Sequence, residues 1–252
     1  MNNMVEHASL KTKAQLCLMM FLQYMLSAVW WVPLGAYLQN GLNFEPSQMS
    51  FILSSMAIGA MASAFIGSIA DRYFSGEKIL SVLNLLTAVF LVFAAQQTAF
   101  APLMGCVVGA MLCHMPTQSL TSTIAMHHTP AEQFPRIRLF GSIGWVASGV
   151  FSLVAFRVLN LSAFDDTNLP MYCGAAVCVV AAIVDLTLPS TPPSSSKKSP
   201  SFMDITGFSV FPLIMKDRNY RTFMILTFLS IIPFTLYHVY GSVILAEVNV
   251  QY

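Results

Sequence analysis

Residues 47–97 read SQMSFILSSMAIGAMASAFIGSIADRYFSGEKILSVLNLLTAVFLVFAAQQ, two apolar runs separated by a short charged turn. A helix needs roughly 20 apolar residues to cross about 30 Å of hydrocarbon. Both runs, 47–70 and 78–97, meet that length. Inside lipid a helix bonds its own backbone groups, whereas an isolated strand or loop leaves them unpaired. The stretch therefore predicts two membrane-spanning helices joined by a short loop.

Five further apolar runs of similar length lie at 14–38, 101–126, 138–160, 169–188 and 220–246. Of the 252 residues, 56% are hydrophobic and 9% are charged, whereas a soluble domain has about 25% charged residues. The runs do not alternate polar and apolar residues as barrel strands do. The run 14–38 is also longer than the apolar region of a signal peptide, about 7–15 residues. We predict an all-α membrane protein with seven spans.

The basic residues lie almost entirely on one side of these spans. Of the 12 lysines and arginines, all but Arg157 precede span 1, lie between spans 2 and 3, flank the start of span 5, or lie between span 6 and the start of span 7. The opposite loops carry Glu45, or Asp165 and Asp166, or no charge. The positive-inside rule then places the N-terminus in the cytoplasm. We expect a multi-pass protein of the cytoplasmic (inner) membrane, with the lipid bilayer as its surroundings.

The longest connection divides the chain. It opens after Pro189 with a segment rich in proline, serine and lysine, which is typical of a linker. We therefore predict a six-helix transmembrane bundle at 1–188, a cytoplasmic linker at 189–219, and a seventh helix at 220–252. On this interpretation the seventh helix begins a second bundle, and the chain stops early in it.

Polar side chains inside the spans form stripes. Gln23, Ser27 and Trp30 follow the i, i+4, i+7 spacing of one helix face. A second set of stripe residues comprises Arg138, Ser142 and Trp145 in span 5, Gln118 with His114, Thr117 and Thr121 in span 4, and Thr235 and His238 in span 7. Polar groups in spans usually face a bundle interior or a wet cavity. The alternatives are helix–helix hydrogen bonds, packed aromatics, and an arginine that snorkels to the interface.

The acidic residues are absent from the middles of the spans. Asp185 and Glu247 come nearest, each close to a span end, so His114 and His238 are the titratable candidates at mid-span. The five cysteines lie in apolar runs without the spacing of metal ligands. We therefore predict no metal site and no cofactor, and we interpret the cysteines as buried thiols.

The turn between spans 2 and 3 carries a recognisable motif. It reads Gly67-Ser-Ile-Ala-Asp71-Arg72 on the predicted cytoplasmic side. Gly67 would allow close helix approach, Asp71 can bond a neighbouring helix terminus, and Arg72 adds a cytoplasmic charge. This Gly-x-x-x-Asp-Arg pattern resembles the signature between helices 2 and 3 of the major facilitator superfamily.

Within that superfamily the chain resembles the nucleoside:proton symporter family. The likeness covers residues 14 to 246, a bit more than half of a twelve-helix member. The matching segments are Leu22-Gln23-Tyr24 through Trp30, Leu34-Gly35-Ala36-Tyr37, Ile69-Ala70-Asp71-Arg72, Met115-Pro116-Thr117 and, most specifically, Phe134 through Trp145. The resemblance implies a major facilitator fold, here its six-helix N-terminal bundle plus the first helix of the second bundle.

The resemblance also implies roles for particular residues. Arg138 matches the family's helix 5 arginine, Ser142 stands where threonine is common, and Trp145 where phenylalanine is common. Thr235 and His238 align where the family places two amide side chains on helix 7, which leaves the substrate open. The family's acidic residues for proton coupling would lie beyond residue 252.

These expectations combine into uptake of a nucleoside or similar small polar solute by proton symport, with alternating access and the proton gradient as energy source. No nucleic-acid partner is expected. The first alternative is transport of a sugar or glycoside, because tryptophans and hydroxyls suit sugar rings as well. A membrane-embedded enzyme would depend on His127 and His128 with Glu132 nearby, and we favour a transporter over an enzyme. A non-transporting sensor is the third alternative, because half a carrier does not alternate access by itself.

Overall fold

The first apolar run forms a long helix, α1, at Leu10–Ala36. We describe a computed structural model, which covers residues 9–158, 160–161, 163–193 and 211–247. Ser9 caps α1, since its hydroxyl accepts a hydrogen bond from the backbone N–H of Lys11 at 3.3 Å. The helix continues into a π-helical turn at Tyr37–Gly41. It is thus a span that begins four residues earlier than the apolar run.

The stretch that predicted a helical pair forms one. Its first half comprises α2 at Pro46–Leu53, which starts with a capping box between Glu45 and Gln48, and α3 at Ser55–Tyr73. Its second half is α4 at Gly76–Ala94. The charged turn between them contains only two residues outside helix, so α4 begins almost directly after α3 ends.

The remaining apolar runs of the bundle are also helical. They form α5 at Phe100–His128, α6 at Phe134–Ala147, α7 at Gly149–Val158 and α8 at Leu169–Asp185, with a 3₁₀ turn at Phe164–Asp166 before α8. Within the described residues, five helical segments are long and apolar enough to cross a membrane. The sixth, α8, is apolar but has 17 residues. The chain is therefore a multi-pass helical membrane protein.

The helices of this bundle pack in the order α6, α1, α8, α4, α5 and α3. Small residues allow the closest approaches. A Cβ at Gly144 would overlap the carbonyl oxygen of Phe21, which brings α6 against α1. A Cβ at Gly59 would lie 2.6 Å from the carbonyl oxygen of Met111, which brings α3 against α5. Glycine contacts of this kind favour van der Waals packing between membrane helices.

The chain divides into two compact units, Met1–Ser194 and Ser195–Tyr252. The second unit contains α9 at Phe211–Lys216 and α10 at Arg218–Glu247. The predicted span 220–246 thus forms α10, and a short helix occupies part of the predicted linker. Residues 194–210 of that linker lie outside the described residues.

Candidate functional site

A chain of polar side chains connects α1 to α5 inside the first unit. The amide of Gln23 donates a hydrogen bond to the hydroxyl of Thr117. One turn further along α1, Ser27 Oγ lies 2.9 Å from His114 Nε2. Gln118 Nε2 donates to Ser27 Oγ at 3.0 Å and lies 3.3 Å from the same histidine nitrogen. Two of the predicted stripes, on α1 and on α5, therefore face each other.

These groups are removed from solvent. Gln23 is 1% exposed and His114 is 2% exposed, while Gln118 is half-buried. In an apolar surrounding each polar atom without a partner is costly, which explains why the amides, hydroxyls and imidazole bond one another. Two polar atoms in this region, His114 Nδ1 and Asn84 Oδ1, have no hydrogen-bond partner in the described structure.

Sequence reasoning missed two members of this polar chain, Asn84 and Asp185. Asn84 Nδ2 donates to Gln23 Oε1 at 3.1 Å and to Asp185 Oδ2 at 2.7 Å. The chain of hydrogen-bonded side chains therefore extends through α4 to the last residue of α8. A lone asparagine in an apolar run was the available signal, because a buried amide needs partners from other helices.

Trp30 occupies a different environment from the other α1 stripe residues. It is 1% exposed, and its ring packs against Gly174 of α8. Trp31 meets it edge-on, with ring centroids 5.6 Å apart. The structure therefore places Trp30 in the packed core between α1 and α8, and its part in solute binding stays a prediction.

The α6 stripe contacts α1 at Tyr24, the residue after Gln23. The guanidinium of Arg138 sits 5.1 Å from the centre of the Tyr24 ring, a cation–π contact. The side chains of Arg138 and Ser142 are exposed at the surface of this unit, and that of Trp145 is half-buried. The adjoining face of α6 is buried, since Gly141 packs against the Tyr24 ring and Gly144 against the Phe21 backbone. Arg138 and Ser142 therefore lie at the edge of the contact between α6 and α1.

The α1 helix joins the two groups, because Gln23 and Tyr24 are adjacent in it. Gln23 belongs to the buried chain and Tyr24 carries the arginine. A solute beside the α6 stripe would thus meet a guanidinium, a hydroxyl and aromatic surface, next to the helix that carries the Gln23 amide.

Other predicted residues divide between the described and the undescribed parts. The backbones of Asp71 and Arg72 lie in α3, and those of Thr235 and His238 lie in α10, but these four side chains are outside the described residues. A Cβ at Gly67 would have Ser119 Oγ at 4.0 Å among the described residues, and the expected close approach at Gly67 stays a prediction. The close contact of α3 lies two turns earlier, at Gly59.

The histidine pair at the end of α5 has a structural contact. The rings of His127 and His128 meet at 4.7 Å between centroids, and His128 Nε2 lies 3.0 Å from Thr191 Oγ1. Glu77 accepts a hydrogen bond from the Thr191 backbone N–H at 2.8 Å. Among the described residues, no group of three potential metal ligands forms. The pair therefore helps hold the segment that follows α8.

A family model for nucleoside H+ symporters matches residues 10–252 of the chain. The chain belongs to this nucleoside H+ symporter family. The match covers both described units and includes every residue proposed above for the solute site. It also identifies the chain with a family of transporters and not with a family of enzymes.

Relatives of the chain come from Escherichia coli K12. One is YegT, whose name proposes nucleoside transport, with 34% identity over 96% of this chain and 57% of the relative. Another is nucleoside permease NupG, with 27% identity over 92% of this chain and 56% of the relative. Xanthosine permease is 27% identical over 81% of this chain and 49% of its own length. The chain spans about half the length of these relatives.

The fold of the chain also matches a solved structure. A crystal structure of a NupG variant superposes with a TM-score of 0.79 and 26% sequence identity, covering 95% of this chain and 60% of NupG. The architecture is thus the major facilitator fold, and the chain corresponds to the N-terminal part of it. The predicted fold class is confirmed.

Proposed function

We propose that this protein carries nucleosides into the cell together with protons, by alternating access between two helical bundles. The observation that carries the proposal is the family match over residues 10–252. The names of NupG and xanthosine permease support a nucleoside as the solute. The proton gradient is the energy source and no cofactor takes part. The protein resides in the inner membrane with its N-terminus in the cytoplasm, as the distribution of lysine and arginine favours.

The site chemistry fits a flat base with polar edges. Arginine can donate in-plane hydrogen bonds and can also stack on an aromatic plane. Arg138 is already over the Tyr24 ring, and Ser142 supplies a hydroxyl one turn away. Trp145 adds a broad apolar surface. We propose that these α6 residues hold the solute.

The buried amides set the second layer of this site. Gln23 and Gln118 each donate a hydrogen bond to a neighbouring hydroxyl. They are proposed to contact the solute, or to hold the polar surface behind Tyr24. A ribose, with hydroxyls that both donate and accept, matches amides that do the same.

The test is uptake of labelled nucleosides into cells that lack their own nucleoside transporters and express the protein from its complete reading frame. We expect accumulation against a gradient that a protonophore abolishes. Unlabelled adenosine, uridine and xanthosine should compete, whereas glucose and a glucoside should not. Competition by the sugars and not by the nucleosides would transfer the proposal to the sugar alternative. Accumulation that survives the protonophore would remove proton symport.

A further inference from the structure

A carboxylic acid lies at the end of the buried polar chain. Asp185, the last residue of α8, is 1% exposed. Its carboxyl accepts a hydrogen bond from Asn84 Nδ2 at 2.7 Å, and no described lysine or arginine neutralises it. A buried carboxylate without an opposite charge is costly, whereas its protonated form is not. The charge of Asp185 therefore depends on the hydrogen-bond partners and charges that the bundle places near it.

The helices around Asp185 are α1 and α4. The titratable groups on the nearby turns of these helices and of α8 are Lys11, Lys13 and Cys17 on α1, Glu77 and Lys78 on α4, and Cys178 on α8. None of them forms a described hydrogen bond with Asp185. Glu77 is engaged with Ser190 and Thr191 instead. The immediate partner of the acid is thus a neutral amide.

We propose that Asp185 is a proton-binding site of this half of the transporter, and that Asn84 passes its protonation state to Gln23. The proposal rests on the function proposed above and names a coupling residue for it. It gives the N-terminal bundle a proton site of its own, at a position where the sequence alone indicated only a span end.

The hydrogen bonds of Asn84 show how the state is passed on. As described, its nitrogen donates both to Asp185 and to Gln23, and its oxygen has no partner. This arrangement suits an ionised carboxylate, which only accepts. Once a proton from water binds the carboxylate, the new O–H must donate. The oxygen of Asn84, which has no partner in the described structure, can accept this hydrogen bond from Asp185 once the amide group has flipped.

The reversal of donor and acceptor roles then continues along the hydrogen-bonded side chains. With the Asn84 oxygen facing it, Gln23 must donate where it accepted, so its amide turns over as well. Its oxygen then faces the hydroxyl of Thr117, whose one hydrogen is donated to the carbonyl oxygen of His114 at 2.6 Å and must turn from there to Gln23. One bound proton therefore reverses the donor–acceptor direction from Asp185 to α5. The next residue of α1 after Gln23 is Tyr24, whose ring contacts the guanidinium of Arg138.

The test compares Asp185→Asn with the wild-type protein in two transport modes. An amide keeps the shape of the acid but binds no proton. We expect uptake driven by an inward proton gradient to fall to the level of protonophore-treated wild type. Exchange of labelled for unlabelled nucleoside without a gradient should stay near the wild-type rate. Glu132→Gln, an acid-to-amide change at an exposed position, should retain both modes.

Three outcomes separate the possibilities. Gradient-driven accumulation by Asp185→Asn at the wild-type level overturns the proton site. Loss of both modes by a folded variant assigns Asp185 to structure and also overturns it. A wild-type protein that moves no nucleoside in either mode refutes the proposed function instead, and the proton site is then judged by spectroscopy.

Infrared spectroscopy of the wild-type protein with isotope-labelled aspartate keeps the proposal testable if Asp185→Asn does not fold. We expect a protonated aspartate carboxyl band that titrates with pH and shifts in Asn84→Leu, since that variant removes the hydrogen-bond partner. A titrating aspartate band that is the same in the wild type and in Asn84→Leu refutes the proposal.

Discussion

The contact between α1 and α6 predicts a sharp difference between two glycine substitutions. In Gly144→Ala the new Cβ overlaps the carbonyl oxygen of Phe21 and lies 2.9 Å from its carbonyl carbon. Backbone atoms cannot rotate away as a side chain does. Because ordinary contact begins at 3.4 Å, the two helices must separate by about 0.5 Å or more, and overpacking of this kind costs about 1–3 kcal/mol.

The matched control is Gly105→Ala in α5. Gly105 is exposed, and a Cβ there would meet nothing within 4 Å. Both substitutions gain the same helix propensity, about 1 kcal/mol. That gain cancels in the comparison, so the free energy of unfolding of Gly144→Ala should lie about 1–3 kcal/mol below that of Gly105→Ala.

The assay is reversible unfolding of each purified variant by SDS titration in mixed micelles, followed by circular dichroism. Nucleoside affinity of the folded variants is the second measurement. We expect Gly144→Ala to lose affinity, because displacing α6 moves Arg138 away from Tyr24. Equal unfolding free energies for the two variants would refute the close packing of α6 on α1 and, with it, the orientation assigned to the α6 face.

Three further predictions concern the site, the turn and the topology. Arg138→Ala should weaken nucleoside binding tenfold to a hundredfold in calorimetry, the equivalent of about 1.5–3 kcal/mol for a charged hydrogen bond. The control, Arg136→Ala, changes an exposed position two residues earlier and should bind normally. Equal affinities of the two variants would make Arg138 an interfacial cation. Asp71→Asn should slow the turnover of bound solute more than it lowers affinity, since the turn is remote from the α6 stripe, and the reverse ratio would make Asp71 a ligand contact. Ala163→Cys should react with an impermeant maleimide in intact cells and Pro193→Cys should not, both positions being exposed; the opposite pattern would invert the predicted orientation.

Most of the fold was predictable because lipid leaves the backbone few choices. An apolar run of sufficient length must be helical, so residues 47–70 and 78–97 were assigned without knowledge of their neighbours. The contacts between helices were not predictable in the same way. Gly67 and Gly59 look alike in sequence, yet among the described residues it is Gly59 that lies against the backbone of α5. The difference depends on where two helices cross, which no single run records.

The candidate site was predictable in part for the same reason. The i, i+4 spacing brought Gln23 and Ser27 onto one face correctly, and both bond α5 residues. The same spacing placed Trp30 with them, but a bulky ring follows the available space and packs on Gly174 of α8. The partner of an apolar ring can be any small residue on an adjacent helix, whereas an amide must find a polar one.

That requirement gives the buried polar chain two roles at once. Asp185, Asn84, Gln23 and Thr117 come from four different helices, and each bond between them fixes the position of one helix relative to the next. In a surrounding without water these bonds have no ready replacement, so the direction in which they run is a property of the whole bundle. A proton that reverses the direction acts on all four helices together. On the proposal above, one titration at Asp185 therefore affects the whole bundle. The variant Asp185→Asn keeps the shape of the acid but binds no proton, so it separates folding from coupling.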